Sequence, residues 1–371
     1  MSRIDRRAFL ASAAAFASVP MALGASAKAL PADFKWAFLV HFGMNMWNDI
    51  DEPPKRDFVQ YVHLTDQEFA EMSAPGYGHF YNCCDFVRFD ENLWRRLADR
   101  LKATGCNTVL IDLGEFVRYP SHPELAVKGS WEPERLTAEV RRLKAMGFEV
   151  VPKLNFSTCH DLWLKEYAKM ISTRQYYQVV KDLIGDVCEM FERPKFFHLG
   201  LDEEDVPSYQ DLKRVAVFRH GDQWWHDVLL MIAEVERHDA RAWIWSDYVF
   251  HHGTEEFIRR MPKSVVQNPW TYGCGAGSLF LEDRLKKAAE LGRAGFDVIP
   301  CGSNCFGSVG NFGALAEYCR ENIPAERFKG LMMAPWAQTR QPFERVLCQA
   351  VDIMGAKVRD WSTGNSVGKG T

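Results

Sequence analysis

The sequence lacks the features that mark several classes of protein. Its 45 Lys and Arg residues nearly balance 49 Asp and Glu residues, for a formal net charge of -4, so it offers no broad basic surface for a nucleic-acid backbone. No stretch beyond the N-terminal region has the roughly 20 consecutive apolar residues of a membrane-spanning helix. The ten cysteines include no C-x2-C pair, which argues against a structural zinc site. We therefore expect no nucleic-acid partner, no stable membrane insertion, no bound metal and no cofactor.

Aromatic residues, in contrast, are plentiful. The chain has 12 Trp and 25 Phe among its 371 residues, more than a core of this size needs. An aromatic surplus in a soluble protein often lines a ligand-binding cleft. The positions of these residues relative to the predicted strands therefore bear on function.

Residues 1–27 have the pattern of an export signal. Arg6 and Arg7 precede an Ala-rich apolar stretch, which ends in the small-x-small pattern Ala25-Ser26-Ala27. The apolar run is too short and too rich in small residues to span a bilayer stably. We expect a twin-arginine signal peptide, a transient partnership with the Tat translocase, and a periplasmic or secreted mature protein of residues 28–371. The alternative is an amphipathic helix at the N-terminus.

Eight short apolar runs alternate with segments of helical periodicity. Near-continuous apolar strands separated by helices are typical of parallel strands buried on both faces. The pattern predicts an α/β protein with a (β/α)8 TIM barrel over residues 28–371. A doubly wound open sheet is the alternative, but no Gly-rich phosphate turn follows the first run. The predicted strands span residues 36–42, 108–114, 149–156, 195–203, 241–248, 265–270, 297–304 and 330–337.

The carboxyl ends of the predicted strands carry polar and indole side chains. In a barrel these ends form one rim, where active sites lie. Indoles stack on the apolar faces of sugar rings, and polar side chains bind the hydroxyl edges, so we expect a carbohydrate ligand. A single Trp could instead plug the end of the barrel. The candidate substrate-binding residues are His41, Asn45, Asp112, Asn155, His160, Trp245, Asp247, Trp270, Trp336 and Gln338.

Asp202 and Glu203, at the end of the fourth predicted strand, are the candidate catalytic residues. Side chains alternate along a strand, so the two carboxylates face different environments, and one can stay ionised while the other serves as an acid. A solvated acidic turn accounts well for the following Glu204 and Asp205. It accounts poorly for Asp202, because an unpaired carboxylate pointing into a barrel is costly.

Three segments of the sequence resemble glycoside hydrolase family 20, the β-N-acetylhexosaminidases. Residues 197–203, FHLGLDE, resemble the H-x-G-G-D-E strand of that family, with Leu201 at the second Gly. Residues 151–160 resemble the family's segment ending in a substrate-contacting His, here His160. Trp336-Ala337-Gln338 resembles its W-x-E motif, with Gln in place of Glu.

The resemblance implies a substrate-assisted retaining mechanism. In such a mechanism Glu203 protonates the leaving glycosidic oxygen and then activates water, while Asp202 orients the 2-acetamido group that attacks the anomeric carbon. The resemblance implies sugar contacts for Trp245, Trp270, Trp336, Gln338 and Asp247, and a role for His160 and Asp112 in holding the sugar or the acid. The substitutions at Leu201 and Gln338 leave the identity of the sugar open.

Other activities fit the sequence less well. An ordinary retaining glycosidase needs a nucleophile on the seventh strand, whose end, residues 300–304, has no carboxylate. A metal-dependent sugar isomerase or hydrolase would use His41, His160 and His198, but no H-x-H motif begins the first strand. A catalytically silent carbohydrate-binding barrel would be marked by loss of the acid, and Glu203 is present.

The long first connection, residues 43–89, is the remaining irregular feature. Connections of this length are usually functional lids or disordered segments. Its aromatic and Gly content suits a flap over the rim, so we predict a lid that narrows the pocket. The alternative is a packed plug.

Overall fold

The computed structural model describes residues 30–49, 53, 55–56, 63–79, 81–205, 212, 214–272, 279–305 and 309–363. The predicted signal peptide, residues 1–27, lies outside the described residues. The strands are β1 (Lys35–His41), β2 (Thr108–Asp112), β3 (Glu149–Lys153), β4 (Phe196–His198), β5 (Arg241–Trp245), β6 (Val266–Asn268), β7 (Cys301–Gly302) and β8 (Gly330–Met333). The helices are α1 (Asp66–Met72), α2 (Glu91–Ala103), α3 (Pro133–Ala145), α4 (Arg174–Met190), α5 (Gly221–Arg237), α6 (Asp247–His252), α7 (Thr254–Arg260), α8 (Leu279–Arg293), α9 (Asn311–Asn322) and α10 (Glu344–Ser362).

The eight strands form one parallel sheet that nearly closes on itself. Its order is β6-β5-β4-β3-β2-β1-β8-β7. Isolated parallel bridges join Gln267 to Val298 and Trp270 to Cys301 across the remaining gap between β6 and β7. Helices lie between successive strands, so the predicted (β/α)8 barrel is confirmed.

Local sequence signals explain how the helices of the first half begin. The side chain of Asp90 caps α2 by accepting a hydrogen bond from the backbone N–H of Leu93 at 3.0 Å. Pro133 is the first residue of α3, where its missing N–H costs no helical hydrogen bond. The faces that these helices turn toward the sheet are apolar and buried: Leu93, Leu97 and Leu101 in α2, and Leu136, Val140 and Leu143 in α3.

A polar layer crosses the interior of the barrel at the carboxyl ends of four strands. The strand register pairs His41 with Asp112, Asp112 with Lys153, and Lys153 with His198. Apolar residues fill the barrel below this layer, among them Ala37, Leu39, Leu110 and Val151. The apolar lower layers exclude water, so each charge in the polar layer needs a partner within it.

The strands end earlier than the apolar runs predict. The fourth run extends to residue 203, whereas β4 ends at His198. Beyond it the backbone leaves the extended conformation, with φ of 76° at Gly200, 73° at Leu201 and 57° at Glu203. The predicted run therefore joins a short strand to a tightly turned segment that carries the acidic pair.

The described parts of the first connection pack against the end of the barrel. The side chain of Gln338 donates to the carbonyl of Gly78 at 3.3 Å. The guanidinium of Arg340 lies 3.5 Å from the centre of the Tyr77 ring, and Arg345 pairs with Glu68 at 2.8 Å. These contacts place the connection beside the end of β8, and its action as a lid stays a prediction.

The nine cysteines among the described residues are free thiols. Most of them are buried, where a free cysteine packs as a small apolar residue. Among the described residues, no helix combines the length and apolar character needed to cross a membrane. The buried cysteines are Cys106, Cys159, Cys188, Cys301, Cys305 and Cys319.

Candidate active site

Asp202 and Glu203 meet at a single imidazole, that of His160. The Nδ1 atom of His160 lies 3.4 Å from Oδ1 of Asp202, and its Nε2 atom lies 3.2 Å from Oε2 of Glu203. The two carboxylates differ sharply in exposure, since the side chain of Asp202 is 6% exposed and that of Glu203 is 42% exposed. The adjacent carboxylates therefore face different environments, although they lie in the turned segment beyond β4 and not on the strand, so strand alternation is not the reason.

His160 and Asp202 stabilise each other's charges. Burial alone would lower the pKa of His160, but Asp202 and Glu203 outweigh it and raise that pKa to about 10. Burial alone would raise the pKa of Asp202, but the imidazolium of His160 outweighs it and holds that pKa well below its usual range. At neutral pH the site thus holds a cationic His160 beside an ionised Asp202.

The loop after β3 fixes the orientation of Asp202. The amide of Asn155 donates to Oδ1 of Asp202 at 2.9 Å. The other end of that amide accepts a hydrogen bond from the backbone N–H of Ser157 at 3.0 Å. The hydroxyl of Ser157 in turn donates to the backbone carbonyl of Asp202. Asp202 is therefore held from both its side chain and its backbone.

Left-handed backbone on both sides of Asp202 shapes this corner. Gly200 has a φ of 76°, and a Cβ added there would lie 1.9 Å from Oδ1 of Asn155 and 2.8 Å from its Cα. Leu201, only 1% exposed, keeps a φ of 73° in spite of its side chain. Non-Gly residues rarely adopt this conformation, and it costs about 1–2 kcal/mol. The strain at Leu201 gives a physical reason for a Gly at the equivalent position of the H-x-G-G-D-E pattern.

Glu204 and Asp205 do not form a solvated turn, and that interpretation is wrong. The side chain of Glu204 is only 4% exposed and lies 2.9 Å from a guanidinium nitrogen of Arg219. It also accepts hydrogen bonds from the indole N–H of Trp224 at 2.6 Å and from the backbone N–H of Thr158 at 2.8 Å. Asp205 is 11% exposed and pairs with a histidine of α6. The ion pair with Arg219, which lies 15 residues further along the chain, explains why Glu204 is buried and not solvated.

Asp247 contacts Glu203 from the neighbouring strand end. One oxygen of its carboxylate accepts the backbone N–H of Glu203 at 3.1 Å, and the other accepts the indole N–H of Trp270 at 2.6 Å. Burial and the charges of Asp202 and Glu203 raise the pKa of Asp247 to about 7, against the opposing effect of Arg284. Asp247 therefore fixes Glu203 and Trp270 relative to each other.

The predicted tryptophans gather at the mouth of the barrel. Trp270 stacks on Tyr272 with the ring centres 4.7 Å apart, and Trp336 meets Tyr272 at 6.3 Å. Trp245 lies 6.2 Å from Trp336 but is only 1% exposed, and its ring packs at 5.0 Å on His198. Trp245 thus acts as a plug of the barrel end, while Trp270 and Trp336 remain partly exposed.

His41 and Asp112 lie in the buried polar layer beneath the acidic pair. Asp112 lies 3.2 Å from Nδ1 of His41 and 2.6 Å from the ammonium of Lys153. Burial tends to raise the pKa of Asp112, but Lys153 outweighs it and lowers that pKa, while burial lowers the pKa of His41. Sequence reasoning missed Lys153, although a lysine at an inward position of an apolar strand was a usable signal.

Asn45 and Gln338 both contact the first connection. The side chain of Asn45 exchanges two hydrogen bonds with the backbone of Cys84, at 2.8 and 2.9 Å, and accepts another from Arg88 at 2.9 Å. Gln338 donates to Gly78 and is fully buried. The structure therefore gives both residues an anchoring contact with the first connection.

No group of three or more metal-ligating side chains in the described part of the chain is arranged to hold a metal ion. Among the described residues, the chemistry available at the rim is that of three carboxyl groups in unequal environments, one imidazolium and partly exposed indoles. Such a set can transfer protons and stabilise a developing positive charge.

Solved structures of glycoside hydrolase family 20 share this fold. The chitobiase of Flavobacterium johnsoniae matches 74% of this chain with a TM-score of 0.50 and 16% sequence identity. The exo-β-N-acetylglucosaminidase of Vibrio harveyi, solved with N-acetylglucosamine, matches 73% with a TM-score of 0.52 and 12% identity. The N-acetyl-β-hexosaminidase of Streptomyces plicatus, solved with Thio-NAglucal, matches 73% with a TM-score of 0.52 and 14% identity.

These matches cover 49%, 52% and 62% of the three solved chains, so this chain spans about half to three-fifths of their length. No protein-family model matches the sequence, and no curated protein matches it significantly. At identities this low the likeness concerns the fold. It confirms the barrel and, at the level of the fold, the resemblance to glycoside hydrolase family 20.

Proposed function

We propose that this chain is a glycoside hydrolase acting on β-linked N-acetylhexosamine-type sugars by a substrate-assisted retaining mechanism. The observation that carries the proposal is the triad at the rim, in which His160 contacts a buried Asp202 and a partly exposed Glu203 at 3.4 and 3.2 Å. One carboxylate is held ionised and fixed, and the other is open to a ligand. A substrate-assisted mechanism requires two carboxyl groups in such different environments.

Glu203 is assigned as the acid and then the base. Its Oε2 atom faces His160, which leaves Oε1 to deliver a proton to the glycosidic oxygen as the bond to the anomeric carbon breaks. The acetamido oxygen of the substrate forms the new bond to that carbon. In the second step Glu203 takes a proton from water, which attacks the anomeric carbon and reopens the ring formed by the acetamido group.

Asp202 is assigned to the acetamido group. Its buried carboxylate has Oδ1 occupied by Asn155 and His160, so Oδ2 can accept the acetamido N–H. A fixed negative charge there stabilises the positive charge that spreads over the acetamido group and the sugar ring. Low exposure strengthens this interaction, because water does not screen it.

The aromatic residues at the rim are assigned to the sugar ring. Trp270 and Trp336 are partly buried, so each can still present an indole surface to a ligand. The Asp247 carboxylate fixes the indole of Trp270 and the backbone of Glu203 together. The similar structure from Vibrio harveyi was solved with N-acetylglucosamine bound, which agrees with the proposed class of sugar.

The decisive experiment compares aryl glycosides that do and do not carry a 2-acetamido group. We expect cleavage of the acetamido sugars only, and slower cleavage when a trifluoroacetamido group reduces the nucleophilicity of the acetamido oxygen. Glu203→Gln and Asp202→Asn should each lower kcat by about 10²-fold or more, a usual contribution of acid–base catalysis. The exposed Glu134→Gln on α3 is the matched control and should leave kcat unchanged.

Two outcomes would contradict this assignment. Cleavage of sugars that lack the acetamido group, with no cleavage of those that carry it, would exclude the substrate-assisted mechanism. Tight sugar binding without any turnover would identify a catalytically silent binding barrel.

We also propose export through the twin-arginine pathway. The proposal rests on Arg6-Arg7, the Ala-rich stretch and the Ala25-Ser26-Ala27 site. Replacing Arg6 and Arg7 with Lys should retain the precursor in the cytoplasm, as fractionation would report. Normal processing of that variant would contradict the assignment.

A further inference from the structure

A cleft of about 620 Å³ lies at the carboxyl-end face of the barrel and is not used by the mechanism above. Its volume falls in the range of roughly 300–1,000 Å³ typical of ligand sites. Its walls come from three connections, those that follow β1, β2 and β3. The cleft therefore opens on the face of the barrel that carries Asp202 and Glu203. The lining residues that matter here are Asn45, Asp85, Arg118, Lys128, Leu162 and Lys165.

The cleft adjoins the proposed acid through His160. Leu162, on one wall, follows His160 by two residues, and Asn45, on another wall, precedes Trp47 by two. The ring of Trp47 meets the ring of His160 edge-on with the centres 5.4 Å apart, and His160 contacts Glu203 at 3.2 Å. A leaving group protonated by Glu203 departs on the side of that carboxyl, so this cleft is positioned to receive it.

Cationic side chains dominate the walls. Arg118, Lys128 and Lys165 face a single lining carboxylate, that of Asp85. Lys165 donates to the backbone carbonyls of Glu124 and Ala126, the latter at 3.0 Å, and both of these partners are neutral. Lys128 is exposed, and among the described residues it has no ion pair. Among the lining side chains, cations therefore outnumber carboxylates three to one.

Two further contacts bear on the electrostatics of the cleft. Arg118 forms an ion pair with Glu132 through Nε at 3.1 Å, which offsets its charge and leaves its terminal nitrogens available. Beneath the floor, the buried Arg88 donates to the side chain of Asn45 at 2.9 Å and the buried Glu115 accepts the backbone N–H of Asn45 at 3.0 Å, so a guanidinium and a carboxyl group lie there together. A neutral saccharide would make no use of Lys128 and Lys165, the lining cations with no carboxylate partner among the described residues, whereas an anionic one would be attracted to them.

We propose that the cleft binds the leaving-group side of an oligosaccharide whose second sugar carries an acidic group, a carboxylate or a sulfate. The proposal rests on the proposed function, because it takes Glu203 as the acid that defines the leaving-group side. Lys128 and Arg118 are the residues assigned to the acidic group. Leu162 supplies the apolar surface against which the ring of that sugar packs.

The test compares three disaccharides that share one 2-acetamido sugar. The second sugar is a uronic acid, a sulfated hexose or a neutral hexose. Affinity is measured by calorimetry in the Glu203→Gln background, where we expect cleavage to be at least about 10²-fold slower, and kcat/KM is measured with Glu203 intact. Both are repeated with Lys128→Gln, with Arg118→Gln/Lys128→Gln, and with Lys195→Gln as the matched control. Lys195 is an exposed lysine just before β4, at the opposite end of the barrel.

We expect tighter binding of an acidic disaccharide than of the neutral one, and a loss of about fivefold in that preference for Lys128→Gln, as for one solvent-exposed ionic contact. The double variant should lose more, and Lys195→Gln should lose nothing. Preference for the uronic acid or for the sulfated sugar identifies which acidic group is recognised. Equal affinity for acidic and neutral disaccharides, or equal losses in the Lys195 control, would overturn the proposal.

Failure of the proposed function would look different. It would appear as no cleavage of an aryl 2-acetamido glycoside, whose small leaving group does not reach the cleft. The calorimetric preference for an acidic second sugar tests the cleft independently of that result.

Discussion

Leu201 offers a direct test of the backbone strain next to the acidic pair. The residue is 1% exposed and has a φ of 73°. Leu201→Ala and Leu201→Gly both remove the buried side chain, at a cost of about 3–5 kcal/mol. Ala retains the left-handed strain of about 1–2 kcal/mol, whereas Gly relieves it and loses about 0.5–1 kcal/mol to the greater freedom of its unfolded chain.

The balance makes Gly the better replacement at this position. Leu201→Gly should have a free energy of unfolding about 0.5–1 kcal/mol higher than Leu201→Ala. The matched control is Leu199, which is fully buried and does not have a positive φ. There the order should reverse, with Ala more stable than Gly by about 0.5–1 kcal/mol.

Chemical denaturation of the four variants, followed by tryptophan fluorescence, measures the four free energies of unfolding. The prediction concerns which of the two replacements is the more stable at each position. The cost of the cavity does not affect that order, because the Ala and Gly variants share it. If Ala is the more stable replacement at both positions, the left-handed backbone at Leu201 carries no strain, and the reason given for a Gly at that place in the family pattern fails.

Three other groups make separate predictions. The pKa of His160 is raised to about 10, so the stabilisation from its charged form is complete below the unfolded pKa of about 6.5 and is lost as the pH rises toward 10. His160→Gln should therefore reduce the change in the free energy of unfolding over that pH window, as denaturation at several pH values would report. Arg219→Met leaves the buried carboxylates of Glu204 and Asp227 without their cation and should destabilise the fold by about 3–5 kcal/mol in thermal and chemical unfolding, so a change under 1 kcal/mol would refute the role given to this ion pair. The pKa of Asp247 is raised to about 7, so its charge appears as the pH rises through neutrality; Asp247→Asn should remove a limb near pH 7 from the profile of kcat/KM, and an unchanged profile would show that its ionisation does not bear on turnover.

The sequence predicted the barrel because its signals are local and repeated. Each strand is a short apolar run, and each helix has a consistent inward face, so tertiary packing agrees with local preference. The ends of the strands were predicted less well. The run that ends at Glu203 continues as apolar sequence through Leu199 and Leu201, and nothing in the composition reveals the left-handed φ at Leu201 and Glu203.

Prediction of the site was limited in a different way. Strand-end positions brought Asp202, Glu203 and His160 to one rim, because parallel strands align their carboxyl ends. The buried state of Glu204 depends on Arg219, which comes from a connection rather than a strand, so strand alternation gave no sign of it. The contact of Gln338 with Gly78 joins residues 260 positions apart, and periodicity carries no information about such pairs.

The buried layer of His41, Asp112 and Lys153 constrains how this sequence can diverge. Lys153 and Asp112 are 0% and 1% exposed. Removing either one leaves the other without its ion-pair partner and lowers the free energy of unfolding by about 3–5 kcal/mol. That approaches the whole stability of a typical domain, about 5–15 kcal/mol. A single substitution in the layer would therefore unfold a marginally stable ancestor. Replacement of these residues requires either a paired substitution or earlier stabilising substitutions elsewhere. Homologues should keep this pair together or lose it together. We therefore expect substitutions at positions 112 and 153 to be correlated among them.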